Sequence, residues 1–277
     1  MVASTTHAER LKKEQRFHDK QAARIKVTPG ESGWIDCETP TWPNEPKISP
    51  AMARRMLRLL GDVAGKRVLI YGCGFDPGAT WFARRGALVT AIDISPESIN
   101  DQRILAEAYK VPMELRVADA MHTRFSDAAF DLIYGNAILH HLDSDGCARE
   151  IARLLAPGGI AVFREVQAGN VFLRLFRLVT PFWRTPDEHP LTEADYRIYR
   201  RYFGRVEVTT HVLTSMLYLF AHRMMVTVLR FLRIRWWPPQ SARFLALCDR
   251  FDTWLARIPG MKTQMWHSLI EMRHEQR

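Results

Sequence analysis

From residue 67 to residue 166 the chain switches repeatedly between two hydrophobic periods. RVLIY (67–71), ALVTAID (87–93), MELRVAD (113–119), AFDLIYGN (129–136) and IAVFREV (160–166) are short apolar runs that read as β-strands. ATWFARRG (79–86), PESINDQRILAEAYK (96–110) and DGCAREIARLLAP (145–157) lie between them and carry apolar residues at helical spacing. Ser95 is placed to cap the second of these helices, and Pro157-Gly158-Gly159 is expected to end the third. This alternation predicts a parallel sheet with helices on both faces, and crossover handedness makes it doubly wound.

The flanks read differently. Residues 1–26 are charged with sparse apolar positions, a polar helix at most. Residues 27–50 hold Pro29, Pro40, Pro43, Pro46 and Pro50 and read as extended loop, before AMARRMLRLL predicts a helix over 50–61 closed by Gly61. Downstream, RVEVTTH (205–211) alternates as a sixth strand. Helical spacing then covers 215–235 and, after Pro238-Pro239, 241–258. QMWHSLIEMR (264–273) returns as a strand expected to pair antiparallel with the sixth. Met265, His267, Leu269 and Glu271 would face one way, and Trp266, Ser268, Ile270 and Met272 the other. Four regions follow: a leading helix and loop (1–50), a core (51–211), a helical insertion or lid (212–262) and a returning strand (263–277).

Charge adds a second asymmetry. Residues 1–159 carry 21 Lys/Arg against 20 Asp/Glu, whereas residues 160–277 carry 18 against 10, most of the net +9. A basic second half suggests an anionic partner there, or simply a solvated basic surface. Cys37, Cys73, Cys147 and Cys248 are scattered, with neither metal-ligand spacing nor a disulfide pattern, so a reducing cytoplasm is the default. The N-terminal residues lack the apolar run of a signal peptide. In 215–237 Arg223 falls mid-run and Arg230, Arg233 and Arg235 crowd the end, which excludes a membrane span. An amphipathic helix on a membrane, a lid over an apolar pocket, or a helix packed on the sheet all fit that pattern.

Ligands of such sheets bind at the carboxyl ends of the strands. Gly72 and Gly74 flank Cys73 directly after the first strand, where glycine permits positive φ and close backbone approach. No Lys-Ser/Thr pair follows, which excludes a P-loop, and Pro77 stands where a dinucleotide fingerprint needs glycine. Asp93 ends the second strand, placed for a ribose, and Asp119 ends the third, placed for an adenine amino group. Either carboxylate would equally serve as a helix cap.

In order and spacing, GCG, AIDISPESI, VADA, FDLIYGNAILHHL and RLLAPGG resemble the class I S-adenosylmethionine-dependent methyltransferases, closest to the small-molecule branch of quinone biosynthesis. The resemblance covers about residues 60–210. It implies a mostly parallel, seven-stranded Rossmann-like sheet, here with a helical insertion before the last strand. It also implies S-adenosyl-L-methionine as cofactor, with Gly72, Cys73 and Gly74 along its methionine part. Asp93 would hold the ribose, Ile94 pack on the adenine, and Asp119 and Ala120 meet the adenine edge. Asn136 would lie between cofactor and substrate. Two positions depart from the pattern: Ile70 where the family has a carboxylate, and Asp76 where it has glycine. Asp76 is expected to replace the missing carboxylate.

For a hydroxyl acceptor a base is needed, and histidine suits that task. His140, His141 and His189 are the candidates, with Asp187 and Glu188 beside the last; no zinc spacing joins them. Gly135-Asn136-Ala137-Ile138 replaces the motif of nucleic-acid amino methyltransferases, and no Pro-Cys nucleophile exists, which argues against nucleic acid. The resulting expectation is a cytoplasmic methyltransferase acting on oxygen or carbon of a small, lipophilic molecule, with peripheral membrane contact through 215–237. Alternatives are a nucleic-acid or protein methyltransferase using the basic half, and a non-catalytic metabolite-binding relative.

Overall fold

The computed structural model describes residues 7–24, 40, 45–171, 174–175, 189–234 and 239–274. The chain forms a seven-stranded sheet in the order β3-β2-β1-β4-β5-β7-β6. The strands are β1 (Arg67–Tyr71), β2 (Leu88–Asp93), β3 (Glu114–Val117), β4 (Phe130–Asn136), β5 (Leu155–Val166), β6 (Arg205–His211) and β7 (His267–Arg273). The first five pair in parallel. β7 enters antiparallel to both β5 and β6. The doubly wound sheet expected from the alternation is therefore present, and its order reverses between β1 and β4.

Helices α1 (His7–Arg24), α2 (Glu45–Ile48), α3 (Pro50–Leu60), α4 (Gly78–Ala83), α5 (Pro96–Tyr109), α6 (Ser144–Leu154), α7 (Glu193–Tyr202), α8 (Thr214–Phe231) and α9 (Ala242–Leu255) are described. Their starts follow local chemistry. Ser95 Oγ accepts from Ser98 N, Asp143 caps α6 through Gly146 N, and Thr192 and Asp195 form a capping box on α7. One face of the sheet buries Tyr71, Ile133, Phe163 and Ile270 against α6 and α7. The other buries Ile70, Leu132, Val162 and Leu269 against α3, α4 and α5. Alternate residues of β1 and of β7 thus serve opposite cores, as a period of two requires.

Two of the boundaries that differ from the sequence reading shape the sheet. The helix expected to run to Pro157 stops at Leu154, and Pro157-Gly158-Gly159 belongs to a twelve-residue β5. There the register shifts between Phe130 and Leu132 of β4, and Gly158 takes φ +76, so the Pro-Gly-Gly run makes a bulge. The last strand begins at His267, because Met261–Gln264 form a 3₁₀ turn.

Candidate functional site

A cavity of about 330 Å³ opens at the carboxyl ends of β1, β2, β3 and β4, beside the reversal in strand order. Gly72, Cys73, Gly74, Asp76, Asp93, Ile94, Asp119, Ala120 and Asn136 all line it, as do His140 and His141. Residues from four strand ends thus meet in one place.

The loop after β1 is shaped for close approach. Gly72 has φ +71, and a Cβ there would lie 2.6 Å from the Ile138 side chain. Gly74 has φ +46 and open space where a Cβ would be, leaving room over its backbone. Gln102 of α5 ties the loop down, donating from Nε2 to Gly74 O at 3.0 Å and Asp76 O at 2.9 Å. Asp93 Oδ2 accepts from Gly74 N at 2.8 Å and Oδ1 from Ser95 N at 2.9 Å. Two of its roughly four lone-pair positions remain for a ligand. Burial raises the Asp93 pKa, with the Ser95 N–H opposing. Asp119 Oδ1 accepts from Met121 N at 2.9 Å, while Ala120 is fixed from beneath by the buried Tyr71 hydroxyl, which donates to its carbonyl.

Asp76 Oδ1 accepts from Gly78 N at 2.8 Å, and its Oδ2 accepts from Asn136 Nδ2. Asn136 Oδ1 in turn accepts from Arg164 NH1 at 3.0 Å. Ile70, at the position of the family's carboxylate, is 3% exposed in the core under α4 and lines no part of the cavity.

After β4 the backbone turns through Ala137 at φ +57 into a 3₁₀ turn, Leu139–His141. The fully buried Glu165 holds this turn: Oε1 accepts from Ile138 N at 2.8 Å and Leu139 N at 2.7 Å, and Oε2 meets His140 Nδ1 at 2.6 Å. In the neutral ring a carboxylate there makes Nδ1 the donor and leaves Nε2 as acceptor. Burial and the neighbouring His140 lower the His141 pKa, so its imidazole is neutral near pH 7. Cys73 is raised well above the usual thiol range by burial and by Asp93, which keeps it protonated and unreactive.

His189 is placed otherwise. It does not line the cavity; its side chain is half exposed, with Nε2 3.9 Å from Asp195, and only its backbone N reaches His140 O, at 2.9 Å. Asp187 and Glu188 lie outside the described residues.

The sequence reading allowed a polar helix here but missed the role of α1, which closes the cavity with Leu11, Glu14, Phe17 and His18. Asp19 anchors it, accepting from Ser95 Oγ at 2.5 Å. Glu14 Oε2 lies 3.3 Å from His141 Nδ1 and 3.6 Å from His18 Nε2, a trio whose spacing the sequence does not reveal. Glu14 and His18 at i, i+4 beside a charged run were the available signal. With Asp76, Asp93 and Asp119, Glu14 makes four carboxylates lining the cavity, and no Lys or Arg joins them among the described residues.

Comparison with known proteins fits this geometry. Residues 69–163 match the family described as a methyltransferase domain. Among curated proteins, methyltransferase GfsG of Streptomyces halstedii is 34% identical over 45% of this chain and 49% of that protein. A ubiquinone biosynthesis O-methyltransferase of Alkalilimnicola ehrlichii is 32% identical over 53% of this chain and 59% of that protein. The chain thus spans about half the length of these relatives. Among solved structures, the [4+2]-cyclase SpnF superimposes with a TM-score of 0.55 at 19% identity, over 98% of this chain and 96% of that one. Such a likeness speaks for the fold alone. Family match, sheet order and the converging loop residues agree: over residues 69–163 the chain is similar to S-adenosylmethionine-dependent methyltransferases.

Proposed function

We propose that the chain transfers a methyl group from S-adenosylmethionine to an oxygen or carbon of a small, lipophilic molecule. One observation carries this reading. In a chain of net charge +9, the cavity that gathers nine of the expected cofactor residues holds four carboxylates and, among the described residues, no Lys or Arg. That lining suits a cofactor with a sulfonium and an ammonium group, and the open backbone of Gly74 gives its chain room. Asp93 would hold the ribose, Asp119 and Ala120 the adenine edge, Ile94 the ring, and Gly72–Gly74 the methionine part. Asp76, fixed by Asn136 and Gly78 N, stands in for the carboxylate that Ile70 does not provide.

When bound, the cofactor supplies a methyl group already activated for in-line displacement, so the protein's share is alignment and proton removal. His140, with Nδ1 on Glu165, keeps Nε2 as an acceptor; His141, neutral at pH 7, is the second candidate base. His189 is the weaker candidate, since its side chain lies away from the cavity. Exclusion of water falls to α1.

The lipophilic class draws support from α8, which exposes Met224, Val228 and Phe231. It favours a membrane-peripheral position through 215–237, although Trp236 and Trp237 lie outside the described residues. No described helix is long and apolar enough to cross a membrane. Cys73, Cys147 and Cys248 are free and buried, in keeping with a cytoplasmic setting.

Titration calorimetry with S-adenosylmethionine tests the cofactor assignment. Asp93→Asn should weaken binding by about 1.5–3 kcal/mol, as for hydrogen bonds to a charged group. Unchanged affinity would sink it. Methyl transfer to a panel of apolar phenols and hydroxyl compounds tests the chemistry. Cofactor binding with no transfer to any acceptor would favour a non-catalytic relative, a reading that the Ile70 departure keeps in view.

A further inference from the structure

Helices α8 and α9 form a hairpin whose outer surface has an unusual make-up. Between residues 214 and 258 the only acidic residues are Asp249 and Asp252, and both are buried. They anchor the hairpin to the core. Asp249 accepts from Ser49 Oγ at 2.8 Å and Ala51 N at 3.0 Å. Asp252 accepts from Leu213 N, Thr214 N and Ser215 Oγ, at 2.8 to 3.0 Å. With both carboxylates turned inward, no acid remains on the outside.

What faces outward is apolar and basic. On α9 and the turn after it, Phe244, Leu247, Phe251, Trp254 and Ile258 are exposed and recur at spacings of three and four, making one stripe. Arg243, Arg250 and Arg257, also exposed, recur every seven residues along one flank of that stripe. Helix α8 buries only Ser215; its exposed Leu217, Phe220, Met224, Val228 and Phe231 form a second stripe. Phe231 is 85% exposed and Met224 63%. So much apolar surface, edged by cations and free of acids, matches the interior–headgroup boundary of an anionic bilayer.

We infer that the α8–α9 hairpin is a docking unit for the surface of an anionic membrane. The apolar stripes enter the acyl boundary, and the arginine row of α9 meets the lipid phosphates. Guanidinium groups suit that task because they pair with phosphate oxygens bidentately. Docking of this kind explains why a helix 18 residues long contributes almost nothing to the core. The inference rests on the lipophilic-acceptor reading for its use, since a membrane is where such an acceptor dissolves, but its chemistry stands apart.

The test is co-sedimentation of the full chain with vesicles of phosphatidylcholine alone, or with about a third phosphatidylglycerol. The parent should partition at least about tenfold better onto the anionic vesicles, with salt weakening the binding. The combined variant Arg243→Ala, Arg250→Ala, Arg257→Ala should lose roughly a hundredfold, at about fivefold per arginine. Phe251→Ser with Trp254→Ser should lose binding even at low salt. These side chains are exposed, so unfolding temperature and S-adenosylmethionine affinity should match the parent's in both variants. Those two readouts separate a failure of docking from a failure of the methyltransferase reading. Equal binding to neutral and anionic vesicles would overturn the proposal. So would concentration-dependent dimerisation that Phe251→Ser with Trp254→Ser abolishes, with no vesicle binding by the parent; the stripes would then be covered by a second copy.

Discussion

Glu165 is the residue on which the site's geometry turns. Its carboxylate is fully buried and meets three donors, Ile138 N, Leu139 N and His140 Nδ1, at 2.6 to 2.8 Å. Each such bond to a charged group is worth about 1.5–3 kcal/mol. Glu165→Ala leaves two buried N–H groups and an imidazole without their acceptor. A buried donor left without its acceptor costs about 1–3 kcal/mol, so with three of them the expected loss of unfolding free energy is about 3–5 kcal/mol. Glu165→Gln is the sharper perturbation. Its Oε1 still accepts from the two backbone N–H groups, but its NH₂ faces His140 Nδ1, which must then accept. The imidazole proton moves to Nε2, and the lone pair that His140 would need as the proposed base is gone. Stability should fall by only about 1–2 kcal/mol, since two of three bonds persist. Turnover should fall by about 10²–10⁴, the usual contribution of a positioned base, with cofactor affinity unchanged. Denaturant titration gives the stability, and ¹⁵N NMR of the His140 ring reports the tautomer without any substrate. A parent protein with its proton on Nε2, or Glu165→Ala within about 0.5 kcal/mol of the parent, would refute the reasoning.

Other outcomes follow from named contacts. His211 is pushed down to about 4 by burial and by Arg55, and His267 falls well below the usual range through burial and Arg164. Both fold as neutral rings, so their contribution is complete above about pH 6.5 and is lost as pH falls toward 4, roughly 3 kcal/mol for His211. Unfolding free energy measured from pH 7 to pH 4 should drop accordingly, and a flat profile would contradict the burial. Asp252→Ala removes the acceptor shared by Leu213, Thr214 and Ser215 and should cost about 2–3 kcal/mol, with hydrogen exchange accelerated over 214–231. Protection unchanged there would show that α8 is held by other means. Asp76→Ala should weaken S-adenosylmethionine binding, and Asp76→Gly should not restore it; tighter binding by Asp76→Gly would end the idea that Asp76 replaces a carboxylate at Ile70. Gly72→Ala pairs a φ of +71 with a 2.6 Å approach to Ile138, so calorimetry should show cofactor binding weakened at least tenfold.

Strands and helices were legible wherever packing is two-sided. RVLIY and RVEVTTH coincide with β1 and β6 to the residue, because alternate side chains meet two different cores or a core and solvent. The end of α6 was not legible. Pro-Gly-Gly signals a helix stop, but the backbone had left the helix three residues earlier to make a bulge against β4. Helix α1 hid its role for another reason. Hydrophobic periodicity detects helices that bury apolar faces, whereas α1 presents Glu14 and His18 along with Leu11 and Phe17 to the cavity. The nine residues expected at the cofactor came from strand ends and from the family resemblance, and all nine line the cavity. Asp93 and Asp119 also cap backbone N–H groups, so the two readings of them were never exclusive. The arrangement around His140 lay out of reach, since Glu165 sits on β5, 25 residues away.

The placement of β7 between β5 and β6 has a consequence for how the molecule is made. Arg164 of β5 pairs with Leu269, and β6 has β7 as its neighbour in the sheet. A growing chain therefore finishes β5, then β6, then α8 and α9, while two strand edges stand open. They close together only when His267–Arg273 emerges, because one segment supplies both partners. A ribosome that stalls near residue 262 releases a protein with a complete cofactor loop and an unfinished sheet. Its open edges invite aggregation or proteolysis rather than partial activity. Only a chain that includes β7 has a sheet without that gap.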